Sequence, residues 1–196
     1  MNTKKISTVE IDDSAIIFEN VTFLGNCKIG QNSIIYPNSI IKDSVIGANC
    51  EIWCSVIEDS IIENKCKIGP YAHIRPNSKI GSECKIGNFV EIKNSTIGRD
   101  TKISHLAYVG DATIGKHCNI GCGAIFVNYS GKIKQQTIVG DNCFIGSNCN
   151  IIAPIKLANR TYVCAGTTLT IDTREGDFVI GRTRETIKPK RAKDYF

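Results

Sequence analysis

The side chain best suited to acid–base chemistry is His105, in the segment 103–108. The chain has three histidines, and a histidine held by a carboxylate is a competent general base near neutral pH. Glu91 precedes His105 by about one coil of the repeat described below, and Lys93 follows Glu91 closely. A lone histidine is more often structural than catalytic, but these ionisable neighbours favour a catalytic base.

A zinc ion is the main alternative for the histidines, because three of them are enough to hold a catalytic zinc. However, His73, His105 and His117 fall at different positions of the repeat. We therefore expect that their side chains do not meet at one point and that the protein binds no metal. No Ser-His-Asp signature, P-loop or Rossmann glycine motif is present. Direct transfer, without a covalent enzyme intermediate, is the simplest mechanism that the available groups support.

These residues are set in a repeat of six residues. It is marked by Ile-Gly dipeptides beginning at residues 29, 46, 68, 80, 86, 97, 114, 120 and 145. Aliphatic residues recur every six positions over 62–92 and 139–169, which is neither the period of a helix nor simple alternation. Each hexad provides one short strand and one turn, so three hexads close a triangular coil of about 18 residues.

The repeat predicts an all-β protein, a left-handed parallel β-helix with one extruded loop and a C-terminal arm; the hand is that of known hexapeptide proteins. The first residue of each hexad points inward, and so does the fifth, where only a small side chain fits. Seven of the ten cysteines occupy this fifth position, together with small residues such as Thr113. Because free cysteine behaves as a small buried hydrophobe, core packing is favoured over disulfides or metal binding.

Three segments are expected along the chain. Residues 1–20 form a poorly repeating lead-in, residues 21–171 form the β-helix domain with a polar loop extruded at 126–137, and residues 172–196 form a basic C-terminal arm. Loops on a rigid scaffold commonly carry function. The end of the arm, 185–196, is equally well interpreted as a solvated, frayed terminus.

Composition limits the partners and the location. A net charge of +5 is too modest to indicate nucleic acid by itself and suits a small anionic ligand equally well. No apolar run of about 18 residues predicts a membrane span, and the N-terminus lacks the apolar core of a signal peptide. We therefore expect a cytoplasmic protein that binds neither nucleic acid nor membranes.

An ordered set of motifs goes beyond the repeat. It comprises Gly69-Pro70-Tyr71-Ala72-His73-Ile74-Arg75-Pro76, Gly87-Asn88-Phe89-Val90-Glu91-Ile92-Lys93, His105-Leu106-Ala107-Tyr108-Val109-Gly110-Asp111, Asn119-Ile120-Gly121-Cys122-Gly123, Val127-Asn128-Tyr129 and Ala165-Gly166-Thr167-Thr168. With these motifs, residues 20–184 resemble the acetyltransferase half of the bacterial bifunctional N-acetylglucosamine-1-phosphate uridyltransferase/glucosamine-1-phosphate acetyltransferase family.

The resemblance implies acetyl transfer from acetyl-CoA to glucosamine-1-phosphate, in the pathway to UDP-N-acetylglucosamine. His105 corresponds to the base that takes the amine proton, and Glu91 to the residue that orients it. The implied sugar-phosphate residues are Arg75 and Lys93 as the phosphate clamp, with Tyr108, Asn119 and Lys134. The implied acetyl-CoA residues are Cys122, whose backbone N–H corresponds to an oxyanion donor, with Asn128, Tyr129, Ser147, Ala165 and Arg182. The resemblance also implies a homotrimer that holds the cofactor between subunits.

The sequence departs from the family pattern at three points. Ser104 stands where the family usually has Gly, and Cys122 where it usually has Ala. No Gly-rich nucleotide loop precedes the repeats, so this chain alone is not expected to make UDP-N-acetylglucosamine. Two other functions stay open: an acetyltransferase for a different amino sugar, and a non-catalytic β-helix scaffold. The chain is either a stand-alone enzyme or a fragment of a bifunctional one.

Overall fold

The structure, a computed structural model, describes residues 8–195, which fold almost entirely into short strands. In chain order, the strands are β1 (Val9–Ile11), β2 (Ile16–Ile17), β3 (Thr22–Leu24), β4 (Cys27–Ile29), β5 (Ile34–Ile35), β6 (Ile40–Lys42), β7 (Val45–Ile46), β8 (Glu51–Ile52), β9 (Val56–Glu58), β10 (Ile61–Ile62), β11 (Lys67–Ile68), β12 (His73–Ile74), β13 (Lys79–Ile80), β14 (Lys85–Lys93), β15 (Thr96–Ile97), β16 (Lys102–Gly110), β17 (Ala112–Ile114), β18 (Asn119–Ile120), β19 (Ile125–Val127), β20 (Thr137–Val139), β21 (Phe144–Ile145), β22 (Asn150–Ile152), β23 (Ile155–Leu157), β24 (Tyr162–Val163), β25 (Thr168–Leu169) and β26 (Phe178–Val179). A short 3₁₀ helix, Arg191–Tyr195, follows.

The strands form a coil with three flat walls, in which every strand pairs in parallel with the strand one coil away. Wall 1 contains β2, β5, β8, β11, the first half of β14, the first half of β16, β18, β21, β24 and β26. Wall 2 contains β3, β6, β9, β12, the second halves of β14 and β16, β19, β22 and β25. Wall 3 contains β1, β4, β7, β10, β13, β15, β17, β20 and β23. The coil has about ten turns, so the predicted left-handed β-helix is confirmed.

The core is a set of stacked side chains along the axis of the coil. On wall 1, for example, Ile52, Ile68 and Ile86 lie on successive rungs, and each is 0% exposed. Burying one such side chain contributes about 1.5–3 kcal/mol. Two positions before each large residue lies a small inward one, such as Cys66 or Cys84, whose thiol donates to a backbone carbonyl at 3.1 Å. The cysteine register therefore packs the core, as predicted.

The structure corrects two details of the repeat. Thr113 is exposed, and Ala112 fills the small inward position two residues before Ile114, because the repeat shortens by one residue here. The extruded loop is shorter than 126–137: Phe126 is fully buried in β19, and Thr137 is buried in β20. Only 128–136 leaves the coil.

Strand pairing also extends beyond the predicted domain boundaries. In the lead-in, β1 pairs with β4 and β2 pairs with β5. Val9, Ile11 and Ile16 are exposed at this end of the coil, whereas Ile17 is half-buried and packs against the core. At the other end, β26 pairs with β24 inside the predicted arm. Within residues 8–195, no helix is long and apolar enough to span a bilayer.

The corners of the coil require residues with positive φ. On most rungs this residue is Asn or Asp, such as Asn32 and Asp43, which tolerate the left-handed region better than other side chains. The corner between walls 1 and 2 is different, because large apolar or aromatic residues occupy it on three rungs: Tyr71 (φ 59°), Phe89 (φ 56°) and Leu106 (φ 42°). All three are exposed, and such strained positions concentrate at functional sites.

Candidate active site

The candidate site lies at the corner between walls 1 and 2, where β14 and β16 run through the corner as nine-residue strands. Their pairing sets Asn88 directly beside His105. The Nδ1 atom of His105 lies 2.6 Å from the Oδ1 atom of Asn88. An amide oxygen only accepts, so the Nδ1 atom carries the proton, and the Nε2 lone pair is left to act as a base.

Glu91 does not orient His105, which corrects the sequence prediction. Its Oε1 atom accepts a hydrogen bond from Nη1 of Arg75 at 2.6 Å. Glu91 lies farther along β14 than Asn88 and opposes Tyr108, so its side chain stands on wall 2 rather than at the corner. The ion pair raises the pKa of the Arg75 guanidinium, mainly through this hydrogen bond. Glu91 therefore places Arg75 instead of His105.

A shallow depression adjoins the corner on wall 2. Its volume is about 220 Å³, and its lining includes Phe89, Glu91, Leu106 and Tyr108. Two of the strained corner residues, Phe89 and Leu106, thus line the depression, and Glu91 brings its partner Arg75 to it. The depression combines an apolar rim with a carboxylate, a phenol and a cation, which suits a sugar-sized ligand.

Positive charge accumulates on wall 2 beyond the depression. The pKa of Lys93 is lowered, first by the neighbouring Lys134 ammonium and also by Arg75. Lys134 comes from the extruded loop, which closes on itself through an antiparallel bridge between Lys134 and Tyr129. Neighbouring cations of this kind are suited to a shared anion, which would relieve their repulsion.

A buried polar network holds the base of this loop. Asp111, buried at the corner of the coil, accepts hydrogen bonds from the side-chain amides of Asn94 and Asn128. Asn128 Nδ2 also lies 3.4 Å from the hydroxyl of Tyr108. Gln135 N donates to Asn128 O at 2.8 Å, which closes the loop. In this chain, Asn128 therefore fixes the loop and Tyr108.

Three of the residues predicted to bind acetyl-CoA stand at the same corner as His105, one on each of the following rungs. This line of residues is called the corner column. Ile103 and Tyr108 pair with residues 120 and 125, so Cys122 stands opposite His105. By the same reasoning Ser147 follows Cys122, and Ala165 follows Ser147. All three are exposed. Arg182 reaches this column from the C-terminal arm, where its Nη1 atom donates to Ala165 O at 3.1 Å.

Two predicted residues lie away from this cluster within one chain. Asn119 stands on wall 1, where its strand pairs with Lys102 and Phe144, so it does not face the depression on wall 2. Tyr129 is 58% exposed on the extruded loop, and its hydroxyl donates to Gly131 O at 2.8 Å. Neither residue meets the His105 corner in a single copy.

The other histidines have separate partners. His73 Nε2 lies 3.1 Å from Glu58 Oε2 on wall 2, and His117 Nδ1 lies 3.1 Å from Asp100 Oδ2 at another corner. In the described residues, no group of three or more His, Cys, Asp and Glu side chains is arranged to hold a metal ion.

Sequence reasoning missed Asn88 and Asp111 as site residues. Asn88 lies in a family-like motif, and its spacing from His105 is the signal that identifies it. One coil is 17 residues long at this rung, as the pairs Ile86–Ile103 and Asn88–His105 show. Counting that single step would have identified Asn88 as the neighbour of His105.

Comparison with known proteins places the chain among repeat proteins of this type. Residues 56–130 match the model of the GMPPB C-terminal domain. Residues 136–170 match the hexapeptide repeat of succinyl-transferase. Among solved structures, UDP-N-acetylglucosamine acyltransferase (LpxA) from Bacteroides fragilis 9343 aligns with a TM-score of 0.51 at 20% identity, covering 82% of this chain and 67% of that one. This similarity supports the fold.

Curated proteins give a closer match. The bifunctional protein GlmU of Clostridium novyi is 48% identical over 184 residues, which are 94% of this chain and 40% of that protein. GlmU of Alkaliphilus oremlandii is 49% identical over 181 residues, 92% of this chain and 40% of that protein. The chain thus spans about two-fifths of the length of these relatives. Over more than nine-tenths of its own length, the chain is similar to bifunctional GlmU proteins, which confirms the family resemblance indicated by its motifs.

Proposed function

We propose that this chain is an acyltransferase that moves the acetyl group of acetyl-CoA to the amine of glucosamine-1-phosphate, with His105 as general base. The observation that carries the proposal is the His105–Asn88 contact at 2.6 Å, which leaves the Nε2 atom of His105 available as a base. His105 directly precedes Leu106, which lines the depression on wall 2. The similarity to GlmU supports the amino-sugar phosphate as acceptor.

The phosphate would lie farther along wall 2. Measured along the strand, His105 and Gly110 are about 17 Å apart at ~3.3 Å per residue. Arg75 places a cation closer to His105 than the end of this strand, because its guanidinium reaches diagonally to Glu91 at the depression. A sugar with its amine at His105 would therefore present its phosphate to Arg75, with Lys93 and Lys134 behind it. The nitrogen attacks the thioester carbonyl carbon directly, and the amine proton passes to Nε2 of His105. The bond between that carbon and the CoA sulfur then breaks, and the CoA thiolate takes the proton from the imidazolium, so that the products are the amide and free CoA.

The remaining expectations rest on the family resemblance and stay predictions. Cys122, Ser147, Ala165 and Arg182 would hold acetyl-CoA along the corner column. Asn119 and Tyr129 would reach a site only across an interface, which is consistent with the predicted homotrimer. The Glu91 role changes from orienting the base to presetting Arg75. The cytoplasmic location stays a prediction as well.

Acetyl transfer to glucosamine-1-phosphate, glucosamine-6-phosphate and glucosamine, followed by release of free CoA, tests the proposal. Two lost charge-assisted hydrogen bonds, at about 1.5–3 kcal/mol each, correspond to a roughly 10²–10⁴-fold lower kcat/KM for unphosphorylated glucosamine. Lys93→Ala should reduce activity only on the phosphorylated sugar. Lys85→Ala, which removes an exposed lysine at the wall 1 end of the same strand, is the matched control.

Each other outcome contradicts the proposal in a recognisable way. Equal kcat/KM for glucosamine and glucosamine-1-phosphate would indicate an acetyltransferase for another amino sugar. Absence of transfer from acetyl-CoA to any amino sugar would leave the scaffold function.

A further inference from the structure

The corner column contains an arrangement of three side chains that direct acetyl transfer does not use as a group. Asn88, His105 and Cys122 stand on three successive rungs, in register. The corner is held there by the backbone, since Gly123 N donates to Leu106 O at 2.8 Å. Adjacent rungs are about 4.8 Å apart, and in-register neighbours on parallel strands project to the same face. The thiol and the imidazole therefore share one exposed column.

Cys122 differs from every other cysteine of the chain. It is the exposed one, whereas Cys54 is half-buried and the other eight are buried. The seven inward cysteines fill the small positions of the core, but Cys122 has no such packing role. Its side chain instead faces the solvent on the side where the proposed function places the acetyl thioester.

The order of the three residues matches a nucleophile, a base and an orienting group. Asn88 Oδ1 holds the Nδ1 proton of His105, so the Nε2 atom is the free acceptor, with the Cys122 thiol on the next rung. A thiol beside a neutral, oriented imidazole is activated by transfer of its proton to the ring. Cysteine is a strong nucleophile towards thioesters once deprotonated.

We infer that Cys122 is a reversible acetyl-acceptor site, which becomes S-acetylated by acetyl-CoA when no amine acceptor is bound. The inference rests on the proposed function, because that function brings the thioester to this corner. His105 takes the Cys122 proton, and the Cys122 Sγ atom attacks the acetyl carbonyl carbon. The bond between that carbon and the CoA sulfur breaks, and the CoA thiolate takes the proton back from the imidazolium. The products are acetyl-Cys122 and free CoA.

The exchange has little driving force in either direction, because one thioester replaces another. It therefore runs backward when CoA accumulates, and the acetyl group returns to CoA. A bound amino sugar competes for the same carbonyl carbon and converts it irreversibly into an amide. The modification is thus expected to be greatest with acetyl-CoA alone.

The test incubates the full chain with acetyl-CoA and no amino sugar, with two readouts. Peptide mass mapping should find one acetyl group on Cys122, and labelled CoA should exchange into acetyl-CoA. In His105→Ala the thiol is retained, yet acetylation and exchange should slow by ~10²-fold or more, because the base is gone. Cys122→Ala should abolish both. Cys54→Ala, the matched control, should preserve both.

Three results would overturn the inference. One is transfer to glucosamine-1-phosphate by a chain that shows neither acetyl-Cys122 nor CoA exchange. The second is equal acetylation of Cys122 in wild type and His105→Ala. The third is acetylation of Cys54 to the same extent. A failure of the proposed function is distinct, since it would show as acetyl-Cys122 formation without transfer to any amino sugar.

Discussion

Removing the Asn88 side chain tests the geometry of the base most directly. In wild type, the 2.6 Å contact fixes the ring and selects the form with the proton on Nδ1 of His105. A neutral hydrogen bond contributes about 0.5–1.5 kcal/mol, and 1.36 kcal/mol corresponds to a tenfold change in rate. Asn88→Ala should therefore lower kcat about 2- to 10-fold, with little change in acetyl-CoA binding.

A conservative variant separates orientation from simple packing. Asn88→Asp keeps an oxygen acceptor at the same position, so kcat should recover at high pH. A carboxylate favours the imidazolium, so a base that must be neutral should become active only at higher pH. The acid limb of the kcat profile should consequently move to higher pH in Asn88→Asp and stay in place in Asn88→Ala.

The chain offers a matched control at another corner. His117 Nδ1 lies 3.1 Å from Asp100 Oδ2, a pair with the same separation along the chain but far from the depression. Asp100→Asn weakens that contact and retains a residue type that tolerates positive φ. Steady-state kinetics from pH 5 to 10 on all three variants are the assay. An unchanged kcat in Asn88→Ala, or an equal loss in Asp100→Asn, would refute the orienting role.

Further predictions concern the base, the cations and the thiols. His105→Ala should lower kcat by ~10²–10⁴-fold while acetyl-CoA still binds in calorimetry, and near-normal turnover would eliminate His105 as the base. Because Lys134 lowers the pKa of Lys93, Lys93 loses its charge at a lower pH than an ordinary lysine. Affinity for glucosamine-1-phosphate should fall in that alkaline range. Lys134→Ala should move this loss of affinity to higher pH. If the pH dependence of the affinity is the same in Lys134→Ala and wild type, the effect of Lys134 on Lys93 is contradicted. Thiol titration of the native protein should label Cys122 fast and Cys54 slowly, with all ten reacting after denaturation, whereas rapid labelling of seven or more would contradict the buried register.

The fold was predictable because its constraint is local and periodic. Every inward side chain must fit beside the axis, so Ile and Cys at fixed spacing determine both the coil and the buried cysteines. Burial also raises the pKa of the Cys84 thiol to about 11, as expected for a core group. The error at Thr113 arose where a five-residue step shifts the register, which spacing alone assigns ambiguously.

The outward side chains were less predictable. Their contacts depend on the length of each coil, which the inward pattern gives, and on rotamers, which the inward pattern does not encode. A 17-residue coil brings Asn88 beside His105, whereas Glu91 turns towards Arg75 on wall 2. The sequence therefore predicted the inward side chains, whereas the side chain that contacts His105 is Asn88 and not the predicted Glu91.

The pairing of each rung with the next has a consequence for how the chain folds. Paired residues are separated by 16 positions at the least (Glu51 and Lys67) and 25 at the most (Ile120 and Ile145). Closing the longest coil costs only about 0.4 kcal/mol more in loop entropy than closing the shortest. The separation also does not grow with the number of coils, so folding can nucleate anywhere and spread along the axis. A nascent chain could thus add one coil at a time during synthesis, with each completed rung serving as the template for the next.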